Sequence, residues 1–250
     1  KGRVYRLKGY EIPEGSRQAR GINIVNLLQL QPDEKITNVI PTEEGFEGNV
    51  VMVTQKGIIK RTPVEEYKNV RKSGLIAITL DEGDNLAWTR ITSGTDELIV
   101  ATKNGQAIKF SEEDVRLVGR SARGVKAIEL TDDDIVVGMG IAKEGTKLLT
   151  ITEDGKGRRT DVNEYRLQTR GGKGVRNFDV EKAGYVAGVR IVNDDDDIIL
   201  ISMSGIIIRM HVSDIAVQSR YANGVKVMRL DSEDKAVTFA VTMREDAEDS

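Results

Sequence analysis

The chain has 250 residues, of which 39% are hydrophobic and 31% charged, with a formal net charge of −3 and no cysteine. The lack of cysteine excludes disulfides, thiolate metal sites and a cysteine nucleophile. The sequence has no apolar run of about 18 residues and no apolar segment near residue 1, so neither a membrane-spanning helix nor a signal peptide is predicted. Aromatic residues make up 4% of the chain, which disfavours a surface that stacks single-stranded bases.

One turn motif recurs along the chain: an apolar run, a glycine and, four residues later, a basic residue. The turn glycines are Gly2, Gly57, Gly105, Gly155 and Gly205, and their basic partners are Arg6, Arg61, Lys109, Arg159 and Arg209. A second glycine follows in each unit, at Gly21, Gly74, Gly124, Gly174 and Gly224. A period of about 50 residues indicates stacked units that together bury apolar faces, as in a propeller.

The repeats divide the chain into five units. Their approximate bounds are 1–48, 49–96, 97–145, 146–195 and 196–242, and an acidic tail follows at 243–250. The later units begin with an apolar strand, at 50–54, 98–102, 148–152 and 198–202, which the first unit lacks. We therefore expect the first unit to be incomplete and at least one more unit to precede it in the natural protein. The tail is expected to be disordered, or to compete with a ligand for basic residues.

The third unit illustrates the predicted elements. A strand at 98–102 leads into a hairpin turn at Asn104-Gly105, where both residues tolerate positive φ, and the chain returns at 106–110. One helical turn at 111–114, an alternating strand at 125–130, an acidic turn at 131–134 and a strand at 135–139 follow. This pattern predicts an all-β, propeller-like fold with about four short strands per unit, one small sheet each. Trp88 is followed by Thr89, so the Trp-Asp signature of WD40 propellers is absent.

Basic residues cluster around the second glycine of every unit. From four residues before it to two after it, the five windows contain no acidic residue and carry Arg17, Arg20, Arg71, Lys72, Arg120, Arg123, Lys126, Arg170, Lys173, Arg176, Arg220 and Lys226. The acids concentrate in turns at 81–84, 132–134 and 231–234. Because equivalent positions lie at equivalent places in a repeat, we expect a basic belt on one surface and the acidic turns on another.

Such a belt suits the phosphate backbone of duplex DNA, which it would hold without reading sequence. Bending 20–30 base pairs costs on the order of 1–6 kcal/mol, and a dozen cations could offset it. If half of them contact phosphates, the logarithm of the binding constant should fall with that of salt concentration at a slope of roughly −5. The glycines would allow close approach of phosphate to backbone N–H groups. The alternative is a propeller that binds an acidic protein partner through the same belt. The two differ in their binding to DNA, because a wrapping domain requires a long duplex and bends it, whereas a protein-binding propeller should bind DNA only weakly.

Other candidate sites are assigned structural roles. His211 is the only histidine and has no evident triad or metal partner. The run of aspartates at 194–197 lacks the alternating spacing of a calcium loop and is predicted to be a solvated linker. The segment 171–174 lacks the hydroxyl residue and helix of an ATP-binding loop. No catalytic residue and no metal ligand are assigned, and none of the tyrosines is taken as a nucleophile.

The segment Gln168-Thr169-Arg170-Gly171-Gly172-Lys173-Gly174 resembles the box motif Gln-Arg-Arg-Gly-Gly-Lys-Gly of DNA gyrase A subunits, with six of seven positions matching. Segments 5–13, 19–21 and 155–160 are similar to the same family, so the resemblance covers the whole chain. In the family the box usually lies in the first blade, whereas here it lies in the fourth unit. Two explanations remain open: a better match to the box lies upstream of this sequence, or the loop in the fourth unit takes the place of the box.

The resemblance implies a six-bladed β-pinwheel whose blades exchange strands, and a non-catalytic domain that wraps duplex DNA so that the holoenzyme introduces negative supercoils. It further implies a bacterial cytoplasmic, nucleoid-associated A2B2 assembly of gyrase A and B subunits, with the catalytic tyrosine and the sites for ATP and Mg²⁺ outside this chain. No cofactor and no membrane contact are expected, and the isolated domain should be monomeric. The paralogous C-terminal domain of the topoisomerase IV A subunit, which usually has fewer blades and no box, is the alternative within the family.

Overall fold

The fold was obtained as a computed structural model that describes residues 1–16, 18–43, 45–131 and 133–243. The strands in chain order are β1 (Arg3–Val4), β2 (Asn49–Thr54), β3 (Ile58–Pro63), β4 (Leu75–Ile76), β5 (Leu86–Thr92), β6 (Glu97–Thr102), β7 (Gln106–Ser111), β8 (Val125–Lys126), β9 (Val136–Ile141), β10 (Lys147–Thr152), β11 (Lys156–Asp161), β12 (Val175–Arg176), β13 (Val186–Val192), β14 (Asp196–Ser202), β15 (Ile207–His211), β16 (Val225–Lys226) and β17 (Ala236–Met243). A single short helix, α1 (Val180–Ala183), and 3-10 turns at Gly9–Glu11, Ile24–Asn26, Val64–Tyr67, Glu112–Asp114, Val162–Glu164 and Val212–Asp214 complete the described elements. No helix in these ranges is long and apolar enough to cross a membrane.

The strands form successive antiparallel sheets, and each full sheet takes its last strand from the following unit. The three four-stranded sheets have the orders β5-β2-β3-β8, β9-β6-β7-β12 and β13-β10-β11-β16. A three-stranded sheet, β17-β14-β15, and the pair β1-β4 account for the rest. The predicted all-β, propeller-like fold is confirmed, and the strand exchange that the resemblance implied is present. The prediction that each unit forms a sheet of its own four strands is wrong, because β8, β12 and β16 each belong to the preceding sheet.

The length of each strand follows from its place in the sheet. Strands β2, β6 and β10 lie between two neighbours and are buried on both faces, so they consist of nearly continuous apolar and β-branched residues. The exchanged strands are at the outer edge and pair over two residues each. The predicted strand at 125–130 is therefore wrong in extent: after Lys126 the chain leaves the sheet edge.

Four of the five turn glycines tie their unit to the next, through a carbonyl that accepts hydrogen bonds from N–H groups of that unit. Gly105 takes a φ of 82°, and its carbonyl accepts hydrogen bonds from the N–H groups of Asn177 (2.7 Å) and Phe178 (3.1 Å). A Cβ at Gly105 would lie 2.4 Å from the Phe178 carbonyl oxygen, so a side chain is excluded on two grounds. The predicted hairpin at Asn104-Gly105 is confirmed by the pairing of β6 with β7, and of its two residues only Gly105 has a positive φ. The turn is thus fixed by contact with the next unit as well as by local preference.

The inner edges of the sheets pack against one another through β5, β9, β13 and β17. Close approach of β9 to β13 depends on glycine, because a Cβ at Gly140 would lie 2.4 Å from Cγ1 of Ile191. Each inner strand also has an irregularity in its pairing at the equivalent step, opposite the junctions at 53–54, 101–102, 151–152 and 201–202. The regular repeat of this step gives the inner strands the same path in all four sheets. The basic windows around the second glycines consequently lie at the opposite, outer edges of the sheets.

Candidate nucleic-acid interface

The predicted basic windows lie on the outer side of the sheets, against the unit before them. Isolated parallel bridges join Arg61 to Leu117, Lys109 to Leu167 and Arg159 to Val217, so the chain runs along the preceding sheet before each window begins. The second glycine then fits against that sheet. Gly174 has a φ of 75°, and a Cβ there would lie 2.3 Å from the carbonyl oxygen of Ala107. This contact gives the glycine a packing role, while its proposed contact with phosphate stays a prediction.

The first arginine of three windows acts as a clamp between units. The Nη1 groups of Arg120, Arg170 and Arg220 donate to the carbonyls of Ile76 (2.7 Å), Lys126 (2.9 Å) and Arg176 (2.6 Å), each on the exchanged strand of the preceding window. These arginines are half-buried. Their guanidinium groups therefore join neighbouring units, a role that the repeat pattern does not indicate, and their predicted contact with DNA stays a prediction.

The last basic residue of the same windows is directed to solvent. Lys126, Arg176 and Lys226 are exposed, and each is the second residue of an exchanged strand at the outer edge of a sheet. Their partners across the ladder are Ile58, Gln106 and Lys156. Three consecutive sheets thus present a cation at the same structural position, which is the arrangement that the repeat predicted. The second unit departs from it, since Ile76 occupies this position.

The middle of the windows is less uniform. Lys173 is exposed and, among the described residues, has no side-chain hydrogen bond or ion pair. Arg123 instead forms an ion pair with Asp81, which belongs to the acidic turn of the preceding unit. The prediction that acidic turns lie on a separate surface is therefore wrong at this point. The reason is that each window packs beside the chain leaving the previous exchanged strand, as the hydrogen bond from Thr79 N–H to the Ala122 carbonyl shows (3.2 Å).

In the first two units, Arg20, Arg71 and Lys72 are exposed, whereas Arg17 lies outside the described residues. The box-like segment is held by its backbone: Gln168 N–H donates to the Lys109 carbonyl (2.8 Å) and Gly171 N–H to the Ala127 carbonyl (2.6 Å). Thr169 is exposed, and the carbonyl of Gly172 accepts a hydrogen bond from Glu129 N–H (2.9 Å). The segment is consequently a fixed loop on the outer edge with Lys173 projecting from it.

The acidic turns brace the hairpins, at the same end of the sheets where the exchanged strands pair. The carboxylates of Asp84, Asp134 and Asp234 accept hydrogen bonds from the N–H groups of Lys56 (3.0 Å), Asn104 (2.9 Å) and Ser204 (3.0 Å). Hydrogen bonds from the Ser204 side chain, the largest contribution, and from backbone N–H groups lower the pKa of Asp234 to about 2. These aspartates therefore have a structural function in addition to their charge. Asp132 lies outside the described residues.

Two buried cations support the windows from below and were missed by the sequence analysis. The ammonium of Lys60 donates to the carbonyls of Ala77 and Arg120, and burial lowers its pKa to about 8. In the fourth unit, the Arg158 guanidinium donates to the carbonyls of Asn177 and Arg220, the latter at 2.9 Å. The sequence signal was a basic residue three positions after the turn glycine, which occurs in the second and fourth units.

A buried carboxylate, also missed, organises the third unit. Glu112 is fully buried and accepts hydrogen bonds from the N–H groups of Gly94 and Asp96 (2.8 Å each) and from the Thr92 hydroxyl (2.6 Å). Nη1 of Arg61 lies 3.5 Å from the same carboxylate. Valine occupies the equivalent position in the second, fourth and fifth units, so the only sequence signal was an acid at a site that is otherwise apolar.

The remaining candidates have structural surroundings. His211 Nδ1 lies 2.6 Å from Asp197, which also accepts a hydrogen bond from Arg209 Nε at 2.9 Å. The solvated linker predicted at 194–197 is present at Asp194 and Asp195, which are exposed between β13 and β14 although Asp194 pairs with Arg159. The prediction is wrong for the other two residues, which belong to β14, where Asp197 is buried. No cluster of acidic or histidine side chains within the described ranges could hold a metal ion. Residues 244–250 of the acidic tail lie outside them.

Comparison with known proteins identifies one family over most of the chain. The family model described as "DNA gyrase C-terminal domain, beta-propeller" matches residues 1–43, 48–93, 96–143, 146–193 and 196–243. The DNA gyrase A protein of Clostridium acetobutylicum is 58% identical over 127 residues, and that of Halalkalibacterium halodurans 54%; each match covers 50% of this chain and 15% of the relative. The chain thus corresponds to a small part of these relatives.

Two solved structures are similar over 97% of the chain. A C-terminal domain of DNA topoisomerase IV has a TM-score of 0.88 at 28% identity, with 77% of that chain covered. A DNA gyrase A C-terminal domain has a TM-score of 0.82 at 27% identity, with 80% covered. Both support the fold deduced from the strand pairing.

Proposed function

Because this chain belongs to the family of DNA gyrase C-terminal β-propeller domains, we propose that it binds duplex DNA along the outer edges of its sheets and bends it. The observation that carries the proposal is the repeated exposure of Lys126, Arg176 and Lys226 at equivalent positions of three consecutive sheets. A row of cations fixed to rigid strands would bind the DNA backbone and impose its own curvature. Contacts of this kind carry no sequence specificity.

We further propose that the parent protein is the A component of gyrase, that it assembles with gyrase B, and that wrapping by this domain directs the introduction of negative supercoils. In this proposal the catalytic tyrosine and the ATPase lie outside the chain, and the domain itself is non-catalytic. The curated relatives at 58% and 54% identity favour gyrase. The TM-score of 0.88 to a topoisomerase IV domain supports a second candidate, the corresponding component of topoisomerase IV. Supercoiling of relaxed plasmid by the reconstituted enzyme separates the two, since loss of this activity on deleting the domain is expected for gyrase.

The direct test is DNA bending by the chain, measured by energy transfer between the ends of a duplex of about 100 base pairs. The variant with Lys126→Gln, Arg176→Gln and Lys226→Gln should lose bending and retain its thermal stability. Its salt slope should become shallower by about 3, since each phosphate contact contributes about 0.9. Full bending of the duplex by this variant would refute the proposal that these three cations bind DNA.

A charge-matched control uses Lys143, an exposed lysine in the loop after β9 that lines the inner side of the sheets. The preceding strand ends with Ile141 paired to Leu98, at the end of its sheet opposite the hairpin, whereas Lys126 pairs with Ile58 beside the hairpin. Lys143→Gln removes the same charge as the single variant Lys126→Gln and should leave bending and the salt slope unchanged, while Lys126→Gln reduces both. An equal loss in the two single variants would mean that net charge, and not the outer edge, determines binding.

A further inference from the structure

The inner edges of the sheets surround a cavity of about 650 Å³ whose charged lining is entirely basic among the described residues. Arg90 on β5, Arg190 on β13 and Lys143 supply three cations, and the lining contains no aspartate or glutamate. Cavities of this size are within the range that holds small ligands. A cavity that gathers like charges without a counter-charge is unusual, because each cation raises the free energy of its charged neighbours.

The two arginines occupy equivalent positions of alternate inner strands, and small residues occupy the other two. Arg90 pairs across the ladder with Val51 and Arg190 with Leu149, while Gly140 and Ala240 take the same place in β9 and β17. The small residues leave space between the arginines. The fold therefore directs two guanidinium groups toward one open cavity between the inner strands.

Neither arginine has a carboxylate partner among the described residues. The Nη1 groups of Arg90 and Arg190 donate to the carbonyls of Thr89 and Val189, both at 2.8 Å. Arg190 also stacks on Trp88, with 4.3 Å from its Cζ to the ring centroid. Burial, and secondarily the charge of Arg90, lower the pKa of Arg190 to about 10. The structure thus holds both guanidinium groups in place while their charge is not neutralised.

We propose that this cavity binds a small multivalent phosphate compound. Phosphate oxygens match the paired N–H groups of arginine, and two or three cations would share one polyanion. Asn38 and Thr37 of the first unit, with Thr238 of β17, add polar groups to the lining. The Asn38 amide already donates to the Thr89 carbonyl at 2.8 Å, which fixes this wall beside Arg90.

The cavity is separate from the proposed DNA surface. In the sheet β5-β2-β3-β8, the cavity-lining strand and the exchanged strand that carries Lys126 are at opposite edges. Three interstrand spacings of about 4.8 Å put them about 14 Å apart. One phosphate group of a duplex on the outer edge therefore cannot also neutralise Arg90 and Arg190. The proposal stands or fails independently of DNA bending.

The test uses Trp88, the only tryptophan of the chain, as a reporter in the cavity wall. The chain is titrated with sodium pyrophosphate, with ionic strength held constant by sodium chloride, and calorimetry gives the stoichiometry. We expect a saturable change in fluorescence with one site per chain. Arg90→Gln should weaken binding at least about tenfold; this variant is preferred because Arg190, and not Arg90, stacks on Trp88.

Lys235→Gln, at an exposed lysine that belongs neither to the cavity lining nor to the basic windows, is the matched control and should bind pyrophosphate as the unchanged chain does. If Arg90→Gln fails to fold, Lys143→Gln replaces it, since Lys143 is exposed and lines the same cavity. A response that does not saturate, that sodium chloride alone reproduces, or that survives the cavity substitutions would overturn the proposal. Loss of pyrophosphate binding with unchanged DNA bending would confirm that the two surfaces are distinct.

Discussion

The box-like segment contains two cations with different predicted roles, and separating them tests the division between clamp and DNA contact. Arg170 donates from Nε to the Asp114 carbonyl and from Nη1 to the Lys126 carbonyl, both at 2.9 Å. Lys173, three residues later, is exposed and unpaired among the described residues. The prediction is that Arg170→Ala lowers the stability of the fold, whereas Lys173→Gln lowers the affinity for DNA.

The magnitudes follow from the contacts. A hydrogen bond from a charged donor contributes about 1.5–3 kcal/mol when buried. Because the Arg170 side chain is half-buried and water competes for the carbonyls, we expect its two bonds together to contribute about 1–3 kcal/mol to the free energy of unfolding. For a chain of this size the melting temperature should fall by roughly 2–12 °C. Loss of Lys173 should reduce the salt slope of DNA binding by about 0.9 and leave the melting temperature unchanged.

The assays are thermal unfolding by circular dichroism and DNA binding at several salt concentrations. Arg170→Lys provides the decisive control, because lysine keeps the charge but cannot form the forked pair of hydrogen bonds. If Arg170 is a clamp, Arg170→Lys is destabilised almost as much as Arg170→Ala. If Arg170→Ala melts like the unchanged chain but loses DNA binding, and Arg170→Lys restores that binding, the assignment of Arg170 to the clamp is refuted.

Three further predictions concern the framework that carries the outer edge. Glu112→Gln replaces a fully buried carboxylate that accepts hydrogen bonds from several donors, so the free energy of unfolding, measured in urea, should fall by about 3–5 kcal/mol. A loss below about 1 kcal/mol would contradict the structural role given to the Glu112 carboxylate. Gly140→Val would place its Cβ 2.4 Å from Ile191 and should destabilise by at least about 1–3 kcal/mol, seen as a lower melting temperature. Asp234, whose pKa the Ser204 hydrogen bond lowers to about 2, should stabilise the fold fully above about pH 4 and lose that contribution as the pH falls through 2; in Asp234→Asn this part of the acid unfolding curve should be absent.

The repeat made most of the fold predictable. Apolar runs before the turn glycines gave β2, β6, β10 and β14, and the periodic glycines gave the turns, because both signals are local. The local sequence does not determine which strands share a sheet. The pairing of Lys126 with Ile58 joins different units, and two-residue strands carry too little pattern to indicate their partner. Only the family resemblance implied the exchange.

The candidate site was predictable in position and less so in role. Sequence spacing brought Lys126, Arg176 and Lys226 to one edge, but it could not show that Arg120 bonds to a backbone carbonyl. Every residue has a backbone carbonyl, so the sequence does not indicate which carbonyls accept side-chain hydrogen bonds. An arginine that donates to a carbonyl therefore looks the same in the sequence as an arginine that faces solvent. The same reason hid the buried cation Arg158, whose partners include the carbonyls of Asn177 and Arg220.

The strand exchange links the proposed DNA surface to the stability of the fold. In the last three windows the first arginine is used between units, and two of these arginines secure the exchanged strand that carries the last cation of the preceding window: Arg170 secures the strand of Lys126, and Arg220 that of Arg176. A change that loosens the clamp would therefore also displace the cation beside it. The exposed window cations in the described ranges are Arg20, Arg71, Lys72, Arg123, Lys126, Lys173, Arg176 and Lys226, of which Arg123 and Arg176 also pair with Asp81 and Asp179. Full engagement of this set would give a salt slope of roughly −7, so a measured slope much steeper than this requires the clamps to open and contact DNA themselves.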